Sequence, residues 1–278
     1  MKDVIPKKAL GQHWLYDDAT LEAICDAVGV QAGDMVLEVG PGLGTLTRKL
    51  LQRGAHVTAV EFDSDLAQNL KNHLSQLSQD SPLKMEDLER LTVVEADILR
   101  FNLQQLPEGY KVVANIPYYL TSNLIRVLCE SPNPFSRGAL LIQKEVAERV
   151  CAEPGSMSIL SVSTQFYCET SLGAFVPRTS FTPPPKVDSQ VLVLTYRSEP
   201  LFPKVEAKEF FRVVRAGFSQ KRKTLHNALS GGLGLSKAET ATLLQRADIR
   251  TTDRAQMLSQ EQWYRLYCAS IDAEPLNT

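Results

Sequence analysis

Two short motifs in this chain combine residue types and spacing that suit chemistry on a bound nucleotide. The first is Glu38–Gly44, a glycine-rich loop that begins with an acid. The second is Asn115–Tyr118, in which an amide and an aromatic ring flank an isoleucine and a rigid proline. Glycines let a backbone approach a ligand closely, and an amide beside a ring can orient a flat polar group. We therefore interpret the two motifs as parts of one candidate site.

The glycine loop differs from the loops that bind dinucleotides. Its spacing is Gly40-x-Gly42-x-Gly44, and Thr45 stands where a dinucleotide loop has its third glycine. Glu38 lies two residues before the first glycine, where it would repel a pyrophosphate and favour an aminoacyl cation. These two features favour S-adenosylmethionine over NAD as the cofactor.

Two acids at predicted strand ends could complete a cofactor site. Glu61 ends the next strand, 21 residues after Gly40, and its carboxylate could accept both hydroxyls of a ribose. Asp97 ends the third strand and could accept a hydrogen bond from an adenine amino group. An aspartate at such a position also serves as a helix cap, which is the alternative interpretation. Because parallel strands end at the same ligand-binding edge, we expect both acids there.

The Asn115–Tyr118 motif could bind an exocyclic amine such as N6 of adenine. That nitrogen is a poor nucleophile, because its lone pair is delocalised into the ring. The Asn115 side-chain oxygen and the Ile116 carbonyl could accept its two N–H bonds while Tyr118 stacks on the base. Catalysis would then rest on orientation and dipoles, without a strong base. The alternative is a turn that merely ends a strand.

A base paired in a duplex does not reach such a clamp, so the nucleotide must be turned out of its stack. Unstacking costs a few kcal/mol and each aromatic contact returns about 1–3 kcal/mol, which favours a target in a loop. Phe181 is our candidate for a second stacking face, and a core phenylalanine is the alternative. The loop and the clamp together predict methyl transfer to the amine of a base, with Asn115, Tyr118 and Phe181 as catalytic residues.

Strand and helix patterns alternate from residue 35 onward and predict the elements that position these motifs. Such alternation is typical of an α/β fold, a Rossmann-like parallel sheet with helices on both faces. The predicted strands are Met35–Val39, His56–Glu61, Leu91–Ala96, Lys111–Ile116, Ala139–Ile142, Ser171–Val176 and Gln190–Tyr196. The predicted helices are Thr45–Arg53, a helix from the Asp63 cap to Leu77, Thr121–Cys129 and Lys144–Val150, with a loop over Ser78–Arg90.

The strand signal ends near residue 200. Before that point the prolines at 183–185 must lie outside the sheet ladder, because proline has no N–H to donate. Residues 204–270 have a helical pattern with a glycine-rich break over Ser230–Gly234. We therefore predict a methyltransferase domain over residues 1–200 and a small all-α, RNA-binding domain over residues 201–278.

The net charge of −2 hides an uneven distribution of charge. Residues 60–100 contain nine acids and four bases, whereas residues 204–254 contain eleven bases and five acids. A basic face of this kind suits a polyanion, although a solvated helix surface is the alternative. The candidate RNA-binding residues are Arg212, Arg215, Lys221, Arg222 and Lys223.

Composition excludes several other classes of protein. No apolar run approaches the roughly 18 residues that span a bilayer, and the first residues lack the apolar core of a signal peptide. The five cysteines are odd in number and show no CxxC spacing, and the four histidines are scattered. We therefore expect a cytoplasmic protein with no membrane partner and no metal.

With these motifs in view, the chain resembles the dimethyltransferases that modify two adjacent adenines near the 3′ end of small-subunit ribosomal RNA. The resemblance covers nearly the whole chain. It rests on Lys8–Leu15 (KALGQHWL), Glu38–Gly44, Glu61, Glu95–Asp97, Asn115–Tyr118 and Phe181–Val187. His13 and Trp14 depart from the commonest wording of the family, which has Asn and Phe at these positions, but both can still hydrogen-bond or pack over a cofactor.

The resemblance implies a class I methyltransferase that uses S-adenosylmethionine. Gln12, His13 and Leu15 would close over the methionine end of the cofactor. The rest of its site would be lined by Glu38, Gly40, Gly42, Glu61, Asp97 and Asn115. The implied substrate is small-subunit (16S) rRNA within the assembling 30S subunit, where dimethylation takes part in subunit maturation, and we expect the enzyme to be a monomer.

Three alternatives remain open at the level of sequence. A sister methyltransferase that modifies large-subunit rRNA and confers macrolide resistance would share every catalytic motif. A non-catalytic ribosome-assembly or nucleic-acid-binding factor is disfavoured by the intact Glu61, Asp97 and Asn115. A DNA adenine methyltransferase is disfavoured because 278 residues leave no room for an extra target-recognition domain.

Overall fold

The computed structural model describes residues 6–7, 10–76, 83–202 and 204–271. Lys8 and Ala9 of the first family motif, Leu77 and Pro203 lie outside the described residues. The chain divides into two compact units. The first comprises the residues up to Ala147 together with Glu169–Tyr196, and the second comprises Glu148–Cys168 together with the residues from Arg197 onward.

The strands of the first unit agree closely with the predicted ones. They are β1 (Trp14–Leu15), β2 (Met35–Val39), β3 (His56–Glu61), β4 (Leu91–Glu95), β5 (Lys111–Asn115), β6 (Arg137–Gln143), β7 (Cys168–Val176), β8 (Phe181–Thr182) and β9 (Ser189–Tyr196). Within the described residues, seven of them form a sheet in the order β4-β3-β2-β5-β6-β9-β7, and β1 pairs with β8. The predicted α/β fold is therefore confirmed.

The topology of the sheet determines where a ligand can bind. β2 is parallel to both β3 and β5, and β6 continues the parallel set on the β5 side. The chain thus runs outward from β2 through β3 to β4, and then returns to the other side of β2 at β5. A crevice opens beyond the carboxyl ends of two strands where the strand order reverses in this way. The glycine loop follows β2 and Asn115 ends β5, so both candidate motifs lie at this crevice.

The helices that cover the sheet begin and end at recognisable signals. They are α1 (Asp18–Ala27), α2 (Thr45–Gln52), α3 (Ser64–Gln76), α4 (Met85–Glu89), α5 (Thr121–Cys129) and α6 (Lys144–Val150). The Asp17 side chain caps α1 by accepting from the Thr20 N–H at 2.9 Å. Leucines of α2 and α3 pack in one cluster with valines of the central strands, which fixes these helices against the sheet.

The prediction of a loop over Ser78–Arg90 was wrong in its second half, because α4 lies there. The Asp87 carboxylate accepts from the Lys84 N–H at 2.7 Å and also pairs with Arg90 at 2.6 Å. These local bonds satisfy the free N–H groups at the start of a one-turn helix that buries no residue. Such a helix shows no apolar periodicity in the sequence, which is why the pattern did not predict it.

The second unit is helical and encloses its own aromatic core. Its helices are α7 (Ile159–Tyr167), α8 (Ala207–Phe218), α9 (Leu225–Leu233), α10 (Lys237–Arg246) and α11 (Gln260–Ser270). Phe210 on α8 and Trp263 on α11 are among its wholly buried side chains. Among the described helices of the whole chain, none is long and apolar enough to cross a membrane.

The predicted glycine-rich break at Ser230–Gly234 was also wrong, because α9 continues through Leu233 and ends at Gly234. A Cβ atom placed on Gly232 would lie 2.7 Å from the Ala216 side chain on α8. Gly232 is therefore absent a side chain because two helices approach closely, and not because the helix is interrupted. Gly234 alone, with φ of 71°, adopts the left-handed conformation that ends helices.

Candidate active site

The glycine loop turns sharply out of β2 and is covered by an aromatic ring. Gly40, Gly42 and Gly44 have φ of 66°, 58° and 87°, a region in which other residues are strained. A Cβ atom on Gly42 would also lie 2.8 Å from the Trp14 ring, so that ring packs directly on the loop. The loop therefore exposes backbone to the cavity at positions where no side chain can be tolerated.

Glu61 is bonded to the backbone of the same loop. Its buried carboxylate accepts from the Gly42 N–H at 3.1 Å and from the Asp63 N–H at 2.9 Å. Burial raises the pKa of Glu61, and these backbone donors oppose the rise. Each carboxylate oxygen can accept more than one hydrogen bond, so Glu61 keeps acceptor capacity for a ligand.

Asp97 combines both of the interpretations considered for it. One carboxylate oxygen accepts from the Leu99 N–H at 3.0 Å, which is the capping role. The other oxygen is 3.9 Å from the Arg100 Nε. Asp97 is only half-buried and lines the same cavity as Glu61. Capping therefore holds the side chain in place and leaves its second oxygen available to a ligand.

Glu38 is a buried carboxyl group that lacks a full set of partners. It is 1% exposed, and within the described part of the chain its Oε2 has no hydrogen-bond partner. Burial, with a smaller contribution from the nearby Glu61 carboxylate, raises the pKa of Glu38 to about 8, against the opposing effect of Thr47. A buried carboxylate requires a partner of opposite charge, so this position is electrostatically incomplete without a cation.

The amine clamp leaves β5 and is held by a strand far along the chain. Asn115 is the last residue of β5, and Tyr118 begins the 3₁₀ turn Tyr118–Leu120. A hydrogen bond of 2.9 Å joins the Tyr118 hydroxyl to Oγ of Ser189, the buried first residue of β9. Burial raises the pKa of Tyr118, so its hydroxyl stays neutral. Ser189 was missed by sequence reasoning, because no local signal connects it with Tyr118.

The segment before β1 lies over the mouth of the site. The Gln12 amide accepts from the Lys7 backbone N–H at 2.8 Å and donates to the Asp63 carboxylate at 3.1 Å. Lys7 also pairs with Asp63, at 2.8 Å. The pairing of β1 with β8 places Leu15 opposite Phe181. These contacts fasten the segment close to Glu61.

One cavity of about 280 Å³ brings the predicted catalytic and cofactor residues together. Among its lining residues are Gln12, His13, Leu15, Glu38, Gly40, Gly42, Glu61, Asp97, Asn115, Tyr118 and Phe181. The roles assigned to them stay predictions. Phe181 is 3% exposed and packs in the core of the first unit, so it presents little surface for stacking in this structure.

The cavity also contains residues that sequence reasoning did not single out. Phe62 and Tyr119 line it and are 62% and 61% exposed. Ile98 and Leu99 line it next to Asp97. Adjacency to the strand-ending acids was the available signal, since the residues after such an acid share its edge of the sheet.

The basic residues proposed to bind RNA belong to the second unit. Arg212 and Arg215 lie on α8, and Lys221–Lys223 lie between α8 and α9. All five side chains are exposed, and Arg212 pairs with Glu209 at 2.7 Å. Exposure suits phosphate contacts, and it is equally typical of a solvated surface.

Comparison with protein families shows a match over almost the whole chain. The family model described as ribosomal RNA adenine dimethylase matches residues 6–271. A protein of Dehalococcoides mccartyi named ribosomal RNA small subunit methyltransferase A is 38% identical over 274 residues, which cover 97% of this chain and 89% of the relative. A protein of the same name from Clostridioides difficile is 37% identical over 277 residues, with 94% and 92% covered.

Two solved structures share the architecture. A dimethyladenosine transferase from Plasmodium falciparum superposes with a TM-score of 0.75 at 28% identity, covering 91% of this chain and 96% of that one. The 23S rRNA methyltransferase ErmE superposes with a TM-score of 0.71, also at 28% identity, covering 92% and 98%. The likeness therefore extends over both units of the chain.

Proposed function

Because the chain belongs to the ribosomal RNA adenine dimethylase family, we propose that it dimethylates two adjacent adenines of small-subunit (16S) rRNA at N6, with S-adenosylmethionine as the methyl donor. The target adenines would lie in the 3′-terminal hairpin loop, and the modification would take part in small-subunit maturation. The relatives named small subunit methyltransferase A support this choice of rRNA.

The observation that carries the proposal is the set of acceptors around one cavity. S-adenosylmethionine has a sulfonium and an ammonium group, a ribose diol and an adenine amine. The unpartnered Glu38 carboxylate supplies the missing negative charge for a cation, Glu61 can accept from a diol, and the free oxygen of Asp97 can accept from an amine. The glycine loop lets backbone approach the same space. The residues present therefore fit this cofactor.

The amine clamp would do its work by orientation. S-adenosylmethionine, when bound, supplies a methyl group activated by the positive sulfur. The Asn115 amide oxygen and the Ile116 carbonyl would accept the two N–H bonds of the adenine amine from one side, which directs its lone pair to the methyl carbon. The Tyr118 ring, held by Ser189, would support the base. Preorganised acceptors of this kind stabilise the charge that develops on the amine.

The second unit would bind the RNA backbone through Arg212, Arg215 and Lys221–Lys223. This assignment supports a division of labour between a methyltransferase domain over residues 1–200 and a helical RNA-binding domain over residues 201–278. Each phosphate contact should contribute about 0.7–0.9 to the slope of log affinity against log salt. A variant with Lys221, Arg222 and Lys223 changed to Gln should therefore bind rRNA less tightly and with a flatter salt slope, at unchanged cofactor affinity.

A charge-matched control makes this test specific. Lys71 and Lys84 are exposed lysines of the acidic stretch in the first unit, and their change to Gln should leave the salt slope as it is. Equal slopes for the wild type and the triple variant would contradict RNA binding by this stretch. Methylation chemistry itself should need only more RNA, and no change of pH.

The rival substrate is large-subunit rRNA, which is the substrate named for ErmE. The deciding experiment is mass mapping of methylated adenines in rRNA from cells with and without this protein. We expect loss of two adjacent dimethyladenines from small-subunit rRNA alone. Loss from large-subunit rRNA, or from neither, would contradict the proposal.

A further inference from the structure

We propose that His13 forms the stacking face opposite Tyr118 for the target adenine. The inference rests on the proposed function and concerns the substrate half of the cavity. Family resemblance assigned His13 to the methionine end of the cofactor, and Phe181 was the candidate for the second stacking face. The contacts of the two side chains support a different assignment.

The chain alternates sides as it enters β1. The Gln12 amide reaches Asp63 at 3.1 Å and the Trp14 ring covers Gly42, so both point to the side of the cofactor loop. Successive side chains of an extended backbone point in opposite directions. His13 accordingly points away from the glycine loop and meets the clamp, where its ring is near that of Tyr118.

The two rings have the separation that an inserted base requires. The centres of the His13 and Tyr118 rings are 6.3 Å apart and their planes differ by 22°. Stacked bases are spaced by about 3.4 Å, so a base between two parallel rings needs about twice that distance. Phe181 is almost wholly buried and pairs across the strands with Leu15, which leaves the second face to another residue.

A hydrogen bond holds the His13 ring in this orientation. Its Nδ1 lies 2.6 Å from the Pro183 carbonyl oxygen, and since a carbonyl only accepts, Nδ1 must donate. Pro183 stands in the proline run that follows β8, so its position is set by a stiff backbone. The ring is therefore preorganised by a segment 170 residues away.

The test compares two substitutions that separate the ring from the hydrogen bond. His13→Phe keeps a flat face and loses the donor, whereas His13→Asn keeps a donor and loses the ring. The substrate is small-subunit ribosomal particles from cells that lack this protein, and the measurements are KM for the particles, kcat, and the dissociation constant of S-adenosylmethionine by calorimetry.

Loss of one stacking face should raise KM for the particles by about 5- to 150-fold, the range expected for one aromatic–base stack. His13→Ala and His13→Asn should show this rise, His13→Phe should recover most of the wild-type KM, and all three should bind S-adenosylmethionine within about twofold of the wild type. His56→Ala, an exposed histidine at the opposite end of β3, serves as the control.

Two results would overturn the inference while leaving the proposed function intact. Wild-type KM in His13→Ala would remove His13 from the base site. Weakened cofactor binding with unchanged KM, or recovery by Asn and not by Phe, would return His13 to the cofactor or to a purely structural bond with Pro183. A wild-type protein that methylates no adenine in the particles would instead overturn the proposed function, and this inference with it.

Discussion

The cofactor side of the cavity and its base side differ in how far along the chain their supports lie. The cofactor side consists of Glu38–Gly44, Glu61 and Asp97, and Glu61 bonds to backbone groups 19 and 2 residues away. The base side consists of His13, Asn115–Tyr118 and Ser189. There Tyr118 bonds to a residue 71 positions away, and His13 bonds to one 170 positions away.

This difference has a physical consequence. A site built from loops next to neighbouring parallel strands is positioned as soon as the sheet forms, because the strand register aligns the loops. A site built from distant segments depends on long-range packing as well. Substitutions on the cofactor side should therefore act on binding of one ligand, whereas those on the base side should act on turnover and RNA affinity.

The largest effect is expected for Asn115→Ala. Removing one preorganised polar group of this kind lowers kcat by about 10²–10³-fold, because the amine of the base loses its acceptor. Cofactor affinity should change little by comparison, and single-turnover kinetics together with calorimetry would check both. Asn123→Ala, an exposed asparagine on α5, is the matched control. A cofactor affinity reduced as strongly as kcat would show that Asn115 belongs to the cofactor side.

Glu61→Ala should weaken S-adenosylmethionine binding by about 10- to 100-fold, the effect of losing hydrogen bonds to a charged acceptor. Glu61→Gln retains one oxygen acceptor and also an acceptor for the Gly42 or Asp63 N–H, so it should weaken binding less. Calorimetric titration of both variants beside Glu108→Ala, an exposed loop acid, would measure the series. An unchanged dissociation constant would remove Glu61 from the cofactor site.

Glu38→Gln should alter the pH dependence of cofactor binding. The pKa of Glu38 is about 8 in the free protein, and a bound cation favours the ionised form. Binding between pH 6 and 8 should then release a proton, and affinity should rise by up to about tenfold per pH unit before levelling off. The α-amino group of the cofactor itself titrates at about 8, so the difference between wild type and Glu38→Gln isolates this carboxyl.

The same carboxyl predicts a sign for stability. The folded pKa of Glu38 lies above its ordinary value of 4.5, so above that value the unfolded chain loses this proton first. Its contribution to the free energy of unfolding therefore falls as pH rises from about 4.5 to about 8. Glu38→Gln should raise the unfolding temperature of the free protein at pH 7.5. A lower unfolding temperature would contradict the electrostatic cost assigned to Glu38.

The smallest effect is expected for Tyr118→Phe. The ring remains, and only the hydrogen bond to Ser189 is lost, so kcat/KM should fall by about two- to tenfold. Tyr118→Ala, which also loses the stacking face, should cost more. Ser189→Ala should match Tyr118→Phe, and the double variant should equal either single variant if the bond is their shared contribution. Independent effects would show that Ser189 acts elsewhere.

Much of the first unit was predictable because its signals are local. The strands β2 and β3 and the helices α5 and α6 have the predicted bounds, since each is an apolar run or an amphipathic segment limited by a glycine, a proline or a polar residue. The short α4 and the uninterrupted α9 were not predicted. The first is stabilised by polar bonds within one turn, and the glycines of the second are explained only by the approach of α8.

For the candidate site, the sequence by itself determined which chemical groups are available. The spacing of the glycines, the acids at strand ends and the Asn115–Tyr118 motif follow from order along the chain, because parallel strands bring successive loops to one edge of the sheet. Only the tertiary structure decided that Glu38 is buried without a full set of partners, that Phe181 is enclosed in the core, and that His13 lies beside Tyr118. Burial and ring spacing depend on contacts between segments more than a hundred residues apart, and no local pattern encodes them.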